Sequence, residues 1–379
     1  MLFKMDVVIM KETLKTLSMI PGISGHEDII RKEIKTMIEK HVDEIKEDKM
    51  GNLIAVVKGE KKGPKILLSA HMDQIGFIVN HLEDKYIRVT PIGGISAKAA
   101  PMTPVNIYTK NKDIKGVLVS KSAFLEEPEE SKKVTKIKDL FIDIGIINKD
   151  DKTTDDKDKK NKSDNKKQDI LEEHGIELGD PVTFDVPFVE LKNNCVRGMA
   201  FDDRAGCAVL IEAIKNLKKD FAGEVNFLFC TQEEVGLKGS RTAVFGINPD
   251  VALVVDMTTT GDMPGISKID SSTILGAGPI ITLADAEGRG LLIRKNVKEW
   301  LIGAVKKDKI KHQVEIGVRF GTTDATIINM SREGIPTGLI SLPGRHIHSP
   351  TEIVNIDDLN GATKLLLAAI KSAENHFKN

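Results

Sequence analysis

The chain has 379 residues, of which 40% are hydrophobic, and its formal net charge is −1. This length favours two domains over one, and the hydrophobic fraction is typical of a globular protein rather than a disordered or fibrous one. A nearly neutral chain presents no strong field to nucleic acid or to an anionic membrane, so neither is expected as a partner.

Cysteine usage and the first residues favour the cytoplasm. Cys195, Cys207 and Cys230 show no CxxC spacing, and their odd number argues against a disulfide framework. Lys4 and Asp6 interrupt the apolar run at the start, which disfavours a signal peptide. Since no stretch approaches the ~20 apolar residues that cross a bilayer, the sequence predicts a soluble cytoplasmic protein.

Helical and strand-like patterns alternate over most of the chain. The segment up to about residue 40 has helical spacing, with a break at Pro21–Gly22. Later helical patterns begin at Asp203, cover residues 291–306, and run from Asp357 toward His376. Short apolar runs typical of strands occur at residues 53–57, 66–68, 225–229, 251–255 and 339–342. This alternation predicts an α/β fold in which helices pack on both faces of a sheet.

Residues 74–187 have a different pattern. Strand-like pieces at 77–79, 105–108, 117–120 and 182–184 are separated by turns, without a long helical pattern. This predicts a small β-rich domain inserted between residues 1–73 and 188–379. Within it, residues 149–168 are almost all charged or polar, which predicts a disordered loop. An anion-binding patch is the less favoured interpretation, because acids and bases alternate there.

Side chains that can bind metal follow four of the predicted strands. If those strands are adjacent and parallel, their carboxyl ends line one crevice. The last of the four strands, at residues 339–342, is expected to lead through a short Pro343–Gly344 turn to the segment that contains His348. The candidate ligands are His71, Glu234, Asp256 and His348, together with Asp202, which lies just before the helix that begins at Asp203.

Each candidate alone has a simpler interpretation as a polar turn, a helix cap or a hydrogen-bonded strand end. Together, two imidazoles and three carboxylates give each of two divalent ions three protein ligands if one carboxylate bridges. Buried carboxylates need partners or metal. Two ions about 3.5–4 Å apart would hold a hydroxide and polarise a scissile carbonyl.

Two more acids complete the predicted site. Asp73 is placed to accept the second ring N–H of His71, which would fix the orientation of that ring. Successive side chains at a strand end point to opposite sides, so Glu234 can face an ion while Glu233 faces the attacking water. Glu233 is therefore the candidate general base, which later donates the proton to the leaving amine.

Six motifs resemble the tetrahedral aminopeptidases, peptidase family forty-two of the MH clan, and they occur in that family's order. They are AHMDQIGF (70–77), LFIDIG (140–145), GDPVTF (179–184), FDDRAGCAVL (201–210), TQEEVGLKGS (231–240) and IHSPTE (347–352). The resemblance implies a zinc-aminopeptidase-like catalytic domain, with a mixed sheet sandwiched by helices, and an inserted β-barrel-like dimerisation domain. It also implies dimers that assemble into a tetrahedral dodecamer.

The resemblance further implies two divalent ions, Zn²⁺ or Co²⁺, in each subunit. Asp202 would bridge them, His71 and Asp256 would hold one ion, and Glu234 and His348 the other. Glu233 would be the base and Asp73 the orienting residue, with a cis peptide bond between Asp202 and Asp203.

The sequence departs from the family pattern at three places. Gln74 stands where many relatives carry Glu, and His346 stands where an aromatic residue is usual, so His346 is a less favoured competitor of His348. Residues 121–125 replace a Pro-Pro-His stretch of many relatives, which leaves the role of that loop open.

The favoured function is hydrolysis of the N-terminal residue from short peptides. A two-metal deacylase or carboxypeptidase would need a cationic anchor near the metals, for which Arg345 is the one candidate. A glycoside hydrolase would leave the histidines unexplained, and a non-catalytic shell protein would favour closed structural sites, often with cysteine. Asp324 meets the substrate amine in one interpretation and belongs to a plain turn in another.

Overall fold

The structure is a computed structural model that describes residues 6–83, 85–129, 132–147, 174–317 and 321–377. The chain forms two compact units. The larger unit comprises Met1–Gln74, Pro187–Ile347 and Thr351–Asn379, and the smaller comprises Ile75–Val186 and His348–Pro350. The charged loop predicted at residues 149–168 lies outside the described residues.

The helices of the larger unit begin and bury their apolar faces as local sequence dictates. Asp6 caps the first helix by accepting the backbone N–H of Val8 at 2.9 Å. In the second helix, isoleucines at four-residue spacing (Ile30, Ile34 and Ile38) form the buried face. The helices are α1 (Val7–Ser18), α2 (Asp28–Ile38), α3 (Phe201–Asn216), α4 (Lys238–Ile247), α5 (Lys295–Lys307), α6 (Asp324–Asn329) and α7 (Ile356–Ser372).

The larger unit is built on one mixed sheet. Its strands run in the order β1-β2-β12-β3-β13-β16-β17-β11-β10, and β14 pairs with β16 and with β15. The strands are β1 (Glu44–Glu47), β2 (Leu53–Lys58), β3 (Lys61–His71), β10 (Val189–Glu190), β11 (Cys195–Gly198), β12 (Ala222–Cys230), β13 (Val251–Thr259), β14 (Ile280–Thr282), β15 (Gln313–Glu315), β16 (Thr337–Arg345) and β17 (Glu352–Asn355).

The four central strands, β12, β3, β13 and β16, run parallel to one another. They are buried on both faces, as parallel strands covered by helices are. On one face Leu68 and Leu253 belong to the larger core with α1, α3 and α7, and on the other Leu67 and Val254 pack with α4 and α6. The prediction of a mixed sheet sandwiched by helices is confirmed.

The predicted turn at Pro343–Gly344 is wrong, because both residues lie inside β16. They pair with Thr258 and Thr259 of β13. A Cβ on Gly344 would lie 2.2 Å from the Cε atom of Met257, so the glycine allows a close approach within the sheet. The residues that suggest a turn therefore serve strand packing.

The smaller unit is a closed barrel of six antiparallel strands in the order β4-β5-β8-β7-β6-β9. Phe77 and Phe184 meet edge to face inside it, with ring centroids 5.5 Å apart. Its strands are β4 (Gly76–Glu83), β5 (Tyr86–Ile92), β6 (Thr103–Tyr108), β7 (Asp113–Val119), β8 (Phe141–Asp143) and β9 (Pro181–Phe184). The predicted β-rich insert is thus a barrel, while its role in dimerisation stays a prediction.

Within the described ranges, no helix is long and apolar enough to cross a membrane.

Candidate metal centre and catalytic residues

The ends of three parallel strands bring the predicted ligands together. His71 is the last residue of β3 and pairs in register with Cys230, the last residue of β12. The turn that carries Glu234 follows β12 directly. Asp256 lies near the end of β13, on the other side of β3. As predicted from the strand pattern, the side chains meet at one edge of the sheet.

Two overlapping groups of side chains in the described part of the chain have ligand atoms within 4.8 Å of one another. The first consists of His71, Asp202 and Glu234, and the second of His71, Asp203 and Asp256. The Nε2 atom of His71 lies 3.3 Å from Asp202 Oδ1 and 3.9 Å from Asp256 Oδ1. Glu233 Oε2 lies 4.0 Å from the same nitrogen. Four of the five predicted ligands therefore converge on one place.

The orientation of the His71 ring follows from its second nitrogen. Nδ1 lies 3.1 Å from the backbone carbonyl oxygen of Asp73 and 3.5 Å from Asp73 Oδ1. Because both atoms only accept hydrogen bonds, Nδ1 carries the hydrogen in the neutral ring, and Nε2 presents its lone pair to the acids. This is the ring orientation that a metal-binding histidine requires.

The Asp73 carboxylate also holds the turn after β12. Asp73 Oδ1 accepts the backbone N–H of Glu233 at 3.0 Å, and Oδ2 accepts that of Glu234 at 3.1 Å. Ser24 Oγ donates to Oδ2 at 2.6 Å. Asp73 thus supports the histidine and the two glutamates.

Asp202 and Asp203 are joined by a cis peptide bond, as the family resemblance implies. Asp203 was missed as a candidate in the sequence, where it marks only the helix start. It is fully buried; its Oδ1 accepts the N–H of Gly206 at 2.9 Å and its Oδ2 that of His71 at 3.3 Å. A Cβ at Gly206 would lie 2.3 Å from the Asp203 carboxylate, so glycine is required there.

Glu352 is a second acid whose place the sequence did not reveal, although it ends one of the six motifs. It is buried, and its Oε2 accepts the backbone N–H groups of Phe201 at 2.6 Å and of Asp202 at 3.1 Å. The chain on both sides of the cis bond is therefore held by carboxylates. A side chain that binds a backbone N–H has no periodic signal in the sequence, which is why the pattern did not predict it.

A buried cation lies beside these acids. The Arg204 guanidinium is fully buried and donates to the carbonyl oxygens of Leu17 at 2.8 Å and Ile20 at 3.2 Å. Its Nη2 lies 3.4 Å from the carbonyl of Gly22 and 3.4 Å from Gln74 Oε1. Burial lowers the pKa of Arg204 to about 10. Gln74, which stands where many relatives carry Glu, therefore gives the Arg204 guanidinium a neutral partner.

The acids raise one another's proton affinity. Burial and the neighbouring Asp256 raise the pKa of Glu233 well above its usual value, against the opposing effect of His71. Burial also raises the pKa values of Asp203 and Asp256 strongly. For His71, burial alone would lower the pKa, but the carboxylates around it raise it well above its ordinary value.

These properties fit divalent cations. The donors are one imidazole nitrogen and several carboxylate oxygens, which are ligands that zinc accepts. Carboxylates that are buried together without a cation repel one another and bind protons, as their raised pKa values indicate. A bound cation would remove this repulsion.

The predicted ligand His348 falls in the barrel unit. Its Nδ1 lies 2.6 Å from the carbonyl oxygen of Gly94, which can only accept, so Nδ1 is the donor of this hydrogen bond. Among the described residues it belongs to neither ligand group. Its role as a ligand stays a prediction. His346 is exposed and belongs to neither group in the same part of the chain.

Two further residues named from the sequence are already engaged. The Arg345 guanidinium binds the carboxylate of Asp262. Asp324 is 2% exposed and accepts a hydrogen bond from the hydroxyl of Ser240. The predicted roles, Arg345 as an anchor for a substrate carboxylate and Asp324 as a partner of the substrate amine, stay predictions.

A mixed α/β sheet with clustered acids and a histidine at the ends of its parallel strands defines the class: a hydrolase whose side chains suit metal ions. Comparison with known families identifies the group within that class. Residues 51–155 and 162–365 match the family described as M42 glutamyl aminopeptidase. The chain belongs to this family and is a peptidase.

Individual relatives agree with this assignment. The chain is 30% identical over 363 residues to the lysyl aminopeptidase of Pyrococcus furiosus, covering 95% of this chain and 96% of that protein. The solved structure of aminopeptidase APDkam598 from Desulfurococcus kamchatkensis is similar with a TM-score of 0.87 and 35% identity, covering 97% and 96% of the two chains. A structure of the Pyrococcus horikoshii TET1 peptidase, described as assembling into a tetrahedron or a large octahedral shell, is similar with a TM-score of 0.79 and 31% identity, covering 95% and 99%.

Proposed function

We propose that this peptidase removes the N-terminal residue from short peptides with two divalent metal ions, zinc or cobalt, and Glu233 as general base. The observation that carries the proposal is the convergence of His71, Asp202, Glu234 and Asp256 on one edge of the sheet. Glu233 lies beside them and belongs to neither ligand group among the described residues.

Each residue has a distinct task in the proposed reaction. Asp202 would be shared by the two ions, Asp256 and His71 would hold one ion, and Glu234 and His348 would hold the other. When bound, the ions polarise the scissile carbonyl and lower the pKa of water. Glu233 takes a proton from the attacking water and delivers it to the leaving amine.

The surroundings of Glu233 suit this task. Its side chain is 10% exposed, so it lies largely outside bulk water. Its raised pKa means that the carboxyl group binds a proton readily, which a base must do before it can act as an acid. Asp73 holds its backbone N–H, which fixes the direction of the side chain.

We also propose that the protein works in the cytoplasm as a tetrahedral dodecamer assembled from dimers, with the barrel as the dimerisation domain. The similarity to the TET1 peptidase, described as assembling into a tetrahedron or a large octahedral shell, supports this assembly. A closed shell would admit short unfolded peptides and exclude folded proteins.

One experiment tests the function directly. The purified protein is assayed on aminoacyl-anilides and on the same compounds with blocked N-termini, before chelation, after chelation, and after zinc or cobalt is restored. We expect cleavage of the unblocked compounds only, lost on chelation and recovered with metal. Cleavage of blocked compounds, or activity that survives chelation, would contradict the proposal.

A further inference from the structure

The turn that follows β12 is held in an unusual way. All four successive backbone N–H groups of Thr231–Glu234 donate to side-chain oxygens from other parts of the chain. The four pairs are Thr231 with Asn52 Oδ1 at 3.0 Å, Gln232 with Glu27 Oε1 at 3.0 Å, Glu233 with Asp73 Oδ1 at 3.0 Å and Glu234 with Asp73 Oδ2 at 3.1 Å.

The carbonyl groups of the same turn are bound as well. They accept N–H groups from the start of α4: Thr231 from Gly239 at 3.1 Å, Gln232 from Lys238 at 3.2 Å and Glu233 from Leu237 at 2.9 Å. A Cβ at Gly239 would lie 2.3 Å from the Thr231 carbonyl oxygen and 2.4 Å from Asn52 Oδ1. The turn is therefore fixed from both sides, and its conformation is defined by partners outside it.

Among the three side chains that bind these N–H groups, Glu27 is the one that lies next to a helix start and does not cap it. It is the residue before α2, yet its side chain makes no capping hydrogen bond to that helix. Its Oε1 instead accepts the N–H groups of Gly25 at 2.9 Å and Gln232 at 3.0 Å. A capping interpretation of this acid therefore fails.

The position of Glu27 is also electrostatically unfavourable. It is 4% exposed, and burial and the nearby Asp73 carboxylate raise its pKa. An amide or a hydroxyl could accept these hydrogen bonds with less repulsion. The N–H groups of Gly25 and Gln232 therefore require an oxygen acceptor at this place, whereas the charge of Glu27 adds only repulsion from Asp73.

The segment that carries Glu27 is itself tied to the site. The N–H of Gln74 donates to the Gly22 carbonyl at 3.0 Å, and Ser24 Oγ donates to Asp73 Oδ2 at 2.6 Å. Gln232, the residue that Glu27 binds, has a φ of 53°, in the left-handed region that a glutamine adopts only when its surroundings require it. Glu27 thus supplies one of the contacts that keep the residue before Glu233 in this conformation.

We propose that Glu27 is a positioning residue for the reaction, which acts through Gln232 on the direction of the Glu233 carboxylate. The inference rests on the proposed function, in which Glu233 is the base. Asn52 and Asp73 hold the neighbouring N–H groups, and Glu27 completes the series.

The test compares two substitutions of Glu27 with a control. Glu27→Gln keeps an oxygen at the position of Oε1, whereas Glu27→Ala leaves two N–H groups without their acceptor. Asp250→Ala is the control, because Asp250 Oδ2 accepts the N–H of Lys65 at 2.7 Å at the opposite end of β13 from Asp256. It removes a partly buried acid and a comparable hydrogen bond away from the site.

Two quantities are measured on the full chain. The first is kcat and KM, for which Glu27→Ala should lower kcat about 10- to 100-fold, as a misplacement of about 1 Å does, and change KM far less. The second is amide hydrogen exchange of residues 231–234 in the metal-free protein, which should be faster in Glu27→Ala. Glu27→Gln and Asp250→Ala should resemble the wild type in both.

The inference is overturned if Glu27→Ala matches Asp250→Ala in kcat and in exchange, or if Glu27→Gln loses as much kcat as Glu27→Ala. Should Glu27→Ala fail to fold, Glu27→Asp replaces it, because its shorter side chain cannot reach Gln232; wild-type kcat in Glu27→Asp overturns the inference. A wild-type protein that hydrolyses no peptide would refute the proposed function, while hydrogen exchange would still decide whether Glu27 holds the turn.

Discussion

Glutamine substitutions at the adjacent residues Glu233 and Glu234 should affect different properties. Glu233→Gln should lose turnover and still bind metal, whereas Glu234→Gln should weaken metal binding. Asp73 holds the backbone N–H groups of both residues, so either substitution should leave the turn in place. The two variants then differ only in which side chain loses its charge. Glu234 belongs to a ligand group with His71, whereas Glu233 belongs to neither group in the described ranges.

The expected magnitudes follow from these positions. Loss of a general base lowers kcat about 10²- to 10⁴-fold, which corresponds to about 3–5 kcal/mol of activation free energy. Glu233→Gln should show this loss and still bind metal, because Glu233 belongs to neither ligand group among the described residues. Since outer partners of a metal ligand already contribute about 10- to 100-fold in affinity, Glu234→Gln should weaken metal binding by more than that.

The assay combines metal titration with kinetics. Cobalt affinity is measured by calorimetry in buffers of different ionisation enthalpy, and kcat is measured at saturating cobalt. Glu233→Gln should also release fewer protons on binding cobalt than the wild type, because the glutamine has no proton to lose. If Glu233→Gln lost its metal while Glu234→Gln kept both metal and turnover, the assignment of the two roles would be wrong.

Two further predictions concern residues that support the site, and a third concerns Asp358 in the first turn of α7. Gly206→Ala would place a Cβ 2.3 Å from the Asp203 carboxylate. It should therefore lower the free energy of unfolding by about 1–3 kcal/mol and weaken cobalt binding. Unchanged values in urea unfolding and in calorimetry would contradict this prediction. Arg204→Lys keeps the charge, but the lysine cannot reach all the carbonyl groups that the guanidinium binds. Urea unfolding should therefore show a free energy of unfolding that is lower by about 2–4 kcal/mol. A variant as stable as the wild type would refute this prediction. Burial raises the pKa of Asp358 from 3.8 to about 6, although two backbone N–H groups oppose the shift. Because the folded chain binds this proton more tightly than the unfolded chain, the stability that Asp358 contributes is complete below about pH 4. It declines between about pH 4 and pH 6, by up to about 3 kcal/mol. Urea unfolding at several pH values should therefore show a smaller decline in Asp358→Asn, and an equal decline would exclude Asp358 as its source.

The sheet and four of the candidate ligands could be predicted because their signals are local. The runs at residues 66–68, 225–229 and 251–255 are apolar except for Asn226 and do not alternate, which indicates strands buried on both faces. Polar residues directly after such runs must lie at one edge if the strands are parallel. His71 and Asp256 required no more information than this.

Other features could not be predicted because they depend on distant parts of the chain. The short strands β10, β14 and β15 have two or three residues, too few for a periodic pattern. Glu27 and Glu352 act through hydrogen bonds to backbone N–H groups more than 100 residues away. Pro343 and Gly344 are residue types that favour turns, but here they lie in a strand, where Gly344 allows the close approach of Met257.

The closure of the barrel explains how a long insertion can interrupt the larger unit without disrupting it. Its first strand, β4, pairs with its last, β9, so that Phe77 lies opposite Val182 and Ile78 opposite Pro181. A flexible loop must lose entropy to bring its ends together, and the loss increases with its length. Here the hydrogen bonds of the insertion itself hold its entry and exit side by side, so once the barrel has folded, the two flanking segments are connected as if by a tight hairpin.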